Sequence, residues 1–70
     1  MYKVGQEVYV VCNGWIIKKA YILKYARGLY TLEFKDNSSL TRLKKHRLYS
    51  NIYCAKRAIF KNRYLWKDNS

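Results

Sequence analysis

The dipeptide Asn13-Gly14 lies between two apolar runs, and it constrains the fold more than any other feature of the chain. Both residues tolerate positive φ, which a tight hairpin turn with the right twist demands, so the chain should reverse direction there. In the run before it, Glu7 to Cys12, Val8, Val10 and Cys12 alternate with Tyr9 and Val11, the period of a strand. The run after it, Trp15 to Tyr25, is long, and its parity slips near Lys18-Lys19. Trp15 and Ile17 share one phase and Ala20 and Ile22 the other, which predicts a bulge or bend between them.

Ala26-Arg27-Gly28 turns into Leu29 to Lys35, where Tyr30, Leu32 and Phe34 face one way and Thr31 and Glu33 the other. Asp36-Asn37-Ser38-Ser39 supplies the next turn, and Leu40 to Lys45 reads as a fourth strand. Tyr2 to Val4 reads as a short edge strand, and His46 to Tyr49 as one tight helical turn anchored by Leu48. Four antiparallel strands are therefore expected near residues 6–12, 15–25, 29–35 and 39–45.

Residues 50–67 contain no Pro or Gly and begin with Ser50 and Asn51, either of which can cap a helix, expected over 51–66. At about 100° per residue, Ile52, Ala55, Ile59 and Trp66 fall on one side, flanked by Cys54, Ala58 and Leu65. The opposite arc collects Lys56, Arg57, Lys61, Arg63 and Lys67, with Tyr53, Phe60 and Tyr64 threaded between them. Residues 68–70 should fray. The expected inner set is Val8, Val10, Ala20, Ile22, Tyr30, Leu32, Phe34, Leu48, Ile52 and Ile59.

Seventy residues make one domain, 1–70, near the lower end of what folds without a staple. A short sheet of that size buries its inner face best by curling. The expected fold is mainly β: a four-stranded antiparallel open barrel over 1–49, followed by one C-terminal α-helix. The pattern Gly5-x-x-Val8-x-Val10, Ala20-x-Ile22, Gly28-x-Tyr30-x-Leu32-x-Phe34-x-Asp36 and Arg47-Leu48-Tyr49 resembles the Tudor-like and KOW-like branch of SH3-like barrels. The resemblance covers about residues 5–49, and small barrels with a trailing helix are similar to uncharacterised bacterial or phage proteins. It implies an SH3-like barrel, and in its Tudor form an aromatic cage for a methylated side chain, at Trp15, Tyr21 and Phe34. The family's Asp-Tyr-Gly-Asn stretch is here Asp36-Asn37-Ser38-Ser39, which removes one cage aromatic.

The net charge is +11, of which residues 41–70 hold +8. That asymmetry points to an acidic partner, most often nucleic acid, or an acidic protein. Cations interleaved with rings suit a polyanion that carries stackable bases. The expected function is a non-enzymatic nucleic-acid-binding module that uses Arg42, Lys44, Lys45, Arg47, Tyr53, Lys56, Arg57, Phe60, Lys61, Arg63, Tyr64 and Lys67. DNA and RNA are not distinguished. Two other readings of these residues stay open: a merely solvated face whose rings fold back over the sheet, and an adaptor that binds an acidic or modified protein through the barrel.

Catalysis is not expected, because Glu7, Glu33, Asp36 and Asp68 are the only acids and no pair is spaced for acid and base roles. Cys12, Cys54 and His46 do not make a zinc ligand set, and no cofactor is implied. The two cysteines read as buried free thiols of a cytoplasmic protein. The opening residues have no apolar stretch of signal-peptide length, and no run approaches the 18 apolar residues of a membrane span. A basic helix lying on an anionic bilayer is disfavoured, because the rings are split between both helix faces.

Overall fold

The computed structural model describes the backbone of residues 2–68 and the side chains of residues 2–61. Strands β1 (Glu7–Cys12), β2 (Ile16–Ala26), β3 (Leu29–Phe34), β4 (Leu40–Leu43) and β5 (Leu48–Tyr49) form one antiparallel sheet in the order β4-β3-β2-β1-β5. A 3₁₀ turn, Lys45–Arg47, leads into β5, and helix α1 (Ile52–Asp68) follows. The sheet therefore has five strands rather than four. No ladder joins β4 to β5, so it is not closed into a barrel. The single helical turn expected over His46 to Tyr49 is displaced by one residue and ends at Arg47. Leu48 and Tyr49 are extended and pair with Val10 and Tyr9.

The β1–β2 connection has three residues, Asn13 to Trp15, and the β2–β3 connection two, Arg27 and Gly28; each carries a consecutive pair at positive φ. Asn13 and Gly14 lie at 55° and 83°, and Arg27 and Gly28 at 53° and 78°. In the third connection, Ser38 at φ 59° is set by the Asn37 side chain, whose Oδ1 accepts from the Ser39 amide at 3.0 Å and the Ser39 hydroxyl at 2.6 Å.

The parity slip in β2 resolves differently from the sequence expectation. The β1–β2 ladder runs unbroken from Glu7 opposite Tyr21 to Cys12 opposite Ile16, so there is no bulge at Lys18-Lys19. Ile17 instead faces away from the core beside Val11, while Lys18 takes the core-side position opposite Val10. The core runs out at that point. The Lys18 stem passes over the Phe34 ring, with its ammonium 5.5 Å from the centroid and 3.4 Å from Asp36. The irregularity lies between Ile22 and Lys24 on the β2–β3 ladder, and it leaves Leu23 exposed.

Tyr2 to Val4 do not form a strand. Gly5, at φ 87°, turns the segment so that its amide donates to the Ile22 carbonyl at 2.7 Å. Tyr2 lies edge-on against Tyr30 with centroids 5.7 Å apart, and its hydroxyl donates to the Leu48 carbonyl at 3.2 Å. The buried cluster is Val8, Val10, Ala20, Ile22, Tyr30, Leu32 and Leu48, with Tyr2, Cys12, Phe34 and Leu43 packed around it half-buried.

Asn51 caps the helix, its Oδ1 accepting from the Cys54 amide at 2.9 Å. The helix packs on β1, β2 and β5 through Ala55, which is fully buried, and the half-buried Ala58 and Ile59. Ile52 is not part of the core and stands 37% exposed. The two-residue β5 ends just before the helix begins and offers no further sheet for it to cover. Helical backbone continues through Asp68, so the expected frayed tail does not begin there. Residues 69–70 and the side chains of Arg63, Tyr64, Leu65, Trp66 and Lys67 lie outside the described residues.

Candidate functional site

With Asn51 fixing where the helix starts and Ala55 fixing which side meets the sheet, the outward face follows from 3.6 residues per turn. Tyr53, Lys56, Arg57, Phe60 and Lys61 succeed one another at helical spacing on that face, and all five are exposed. The rings do not fold back over the sheet: Tyr53 is 76% exposed and Phe60 72%. Phe60 lines a shallow depression with Cys54, Arg57, Ala58 and Lys61, which puts apolar surface beside two cations. Cys54 is exposed and Cys12 only half-buried, so neither thiol has the buried position expected, although both are free.

The other expected cations divide into separate places. Arg47 is brought to the helix, where it lines a groove with His46, Val11, Tyr49, Ala58 and the Asn13-Gly14 turn. Lys44, between β4 and the 3₁₀ turn, and Lys45, the first residue of that turn, are both exposed. Arg42 does not join the helix. It lies on β4, at the far edge of the sheet from the strands that carry α1, and shares a concavity with Lys24 and Arg27. Arg63, Tyr64 and Lys67 fall among the side chains outside the described residues.

Among the described residues the ion pairs are Lys18 with Asp36 and Lys19 with Glu7, both on the sheet. Among the described residues, no acid lies within 4.0 Å of any of the site cations. Their charge faces water, where it can meet a polyanion without first breaking a pair.

The aromatic cage does not assemble. Tyr21 pairs with Glu33 and Phe34 with Ala20, which puts the two rings on opposite faces of the sheet, and Phe34 is already covered by Lys18. Among the described residues, no three of His, Cys, Asp or Glu gather closely enough to hold a metal ion, and no helix is long and apolar enough to cross a membrane. Sequence reasoning missed Lys24 and Arg27, whose place beside Arg42 depends on strand register. No protein-family model matches the chain, and none of the curated proteins compared with it matches either.

Proposed function

We propose that the protein is a non-enzymatic nucleic-acid-binding module of the cytoplasm whose principal contact surface is the outward face of α1. The observation that carries this reading is the exposure of Tyr53 and Phe60 among Lys56, Arg57 and Lys61. A solvated helix face gains nothing from presenting two rings to water, whereas unpaired bases stack on them while phosphates meet the cations. Arg47, beside Ala58, extends the cationic surface from the helix to the sheet. We read the sheet itself as an open SH3-like barrel of the Tudor-like kind, a reading supported by its meander order, by β5 returning beside β1, and by the 3₁₀ turn that leads into β5.

Fluorescence anisotropy with single-stranded and duplex oligonucleotides over a salt series tests this function. If Arg47, Lys56, Arg57 and Lys61 each neutralise a phosphate, log affinity should fall against log salt with a slope of about −2.8 for single strands and about −3.6 for duplex DNA. Absence of micromolar binding at low salt for every oligonucleotide would refute the proposal. If an acidic peptide bound instead, the same cations would belong to a protein adaptor.

A further inference from the structure

We propose a second phosphate-binding site on the opposite side of the sheet from its core, formed by Lys24, Arg27 and Arg42 around Thr31. Strand register builds it. Thr31 pairs with Lys24 on β2 and with Arg42 on β4, and directly paired residues stand on the same face. Adjacent strands are about 4.8 Å apart, so the two cations flank the threonine at a separation of roughly 10 Å. Two long side chains can close that gap onto one tetrahedral anion, with the Thr31 hydroxyl as a donor beneath it. Arg27 enters from the β2–β3 turn, and the four residues line one concavity with Ala26 and Leu29.

Gathering three cations there opposes folding through their mutual repulsion, and among the described residues no acid within 4.0 Å offsets it. Glu33 is the next residue of β3 on that face, and it makes no ion pair with Lys24 or Arg42. A bound anion supplies the missing compensation. Two of the three cations are arginines, whose planar forks match the oxygens of a phosphate. The ligand is therefore a phosphate group, as a backbone diester or as free phosphate. Its identity as a diester rests on the nucleic-acid reading above; the site itself does not.

The experiment is a titration of backbone amide NMR shifts on the full chain, first with inorganic phosphate against chloride at matched ionic strength, then with a single-stranded oligonucleotide. Phosphate should move the amides of Lys24, Arg27, Thr31 and Arg42 saturably. K24Q/R42Q should weaken that response at least about tenfold while leaving the amides of Lys56 to Lys61 unchanged, since two charge-assisted hydrogen bonds are lost. If the oligonucleotide moves both the sheet set and the helix set, the ligand is a backbone diester. If phosphate moves the sheet set and the oligonucleotide moves nothing, the site stands with free phosphate as its ligand and the nucleic-acid reading fails. If the oligonucleotide moves only the helix set and phosphate moves neither, the site is refuted and the nucleic-acid reading survives. The wild-type titration decides among these even if the double variant folds poorly.

Discussion

Replacing Phe60 with Ala separates recognition from packing, because the two roles predict opposite pairs of measurements. Phe60 is 72% exposed, so only about a quarter of its surface is withdrawn from water. A phenylalanine presents roughly 150 to 250 Å² in all. The buried part is then about 40 to 70 Å², worth about 1 to 1.7 kcal/mol at about 25 cal/mol per Å². Alanine's better helix propensity returns about 0.5 kcal/mol. The net cost to folding is about 1 kcal/mol, a fall in Tm of roughly 4 to 8 °C for a domain of this size. Stacking of an unpaired base on the ring is worth about 1 to 3 kcal/mol, so single-strand affinity should drop roughly 5- to 150-fold. The salt slope should not change, since no charge is removed. Anisotropy at several salt concentrations beside a thermal melt gives all three quantities. Unchanged single-strand affinity together with a fall in Tm well above 8 °C would show that the ring supports the fold and that the stacking argument is wrong.

Leu32 is fully buried at the centre of the sheet, and L32A should cost about 2 to 5 kcal/mol in urea denaturation, a large part of the total for a chain this short; a loss under about 1 kcal/mol would show that the core is not packed there. Arg27 occupies left-handed backbone at φ 53°, so R27N should raise stability by about 0.5 to 1 kcal/mol, and a lower Tm would contradict the turn geometry. Burial, then the neighbouring Tyr30, Cys54 and Tyr49, raise the Tyr2 hydroxyl above its ordinary value. The unfolded chain therefore loses that proton first, and the stabilisation is complete below about pH 10 and is lost as pH rises through the folded value. Y2F should flatten this alkaline loss in melts taken from pH 8 to 12, and an unaltered profile would exclude Tyr2 as its source. In the native protein a thiol reagent should titrate two cysteines, exposed Cys54 faster than half-buried Cys12, and equal rates would contradict their placement.

Alternation in β1 and β3 and the Asn-Gly turn made most of the inner cluster legible, because a half-buried strand writes its burial into every second residue. β5 was illegible for the same reason: two residues have no period, and Leu48-Tyr49 declares itself only through its pairing with β1. The Lys18-Lys19 slip misled because a lysine on the core side looks like a phase error until its route over Phe34 is seen. On the helix, the outward arc followed from periodicity alone. The seat followed in part: Ala55 and Ile59 meet the sheet on the side that periodicity gave them, whereas Ile52, expected inside, stands exposed. The Lys24, Arg27 and Arg42 cluster spans three strands, and no local pattern encodes a register across two turns.

The ladders also differ in how far apart along the chain their partners lie, and that sets the order of folding. β1 with β2, β2 with β3 and β3 with β4 each close through a short connection, but Tyr9 meets Tyr49 across about 40 positions. Closing a loop ten times longer costs about 2 kcal/mol more. The β1–β5 pairing, and with it the docking of α1, should therefore form after the transition state, behind a meander that assembles from local contacts. Stopped-flow measurements on L48A should then show faster unfolding with nearly unchanged folding; slowed folding would place β5 in the nucleus. On this order the cations of α1 and Arg47 reach their final spacing only after the barrier is crossed, so the charged surface is completed by the last contact the chain makes.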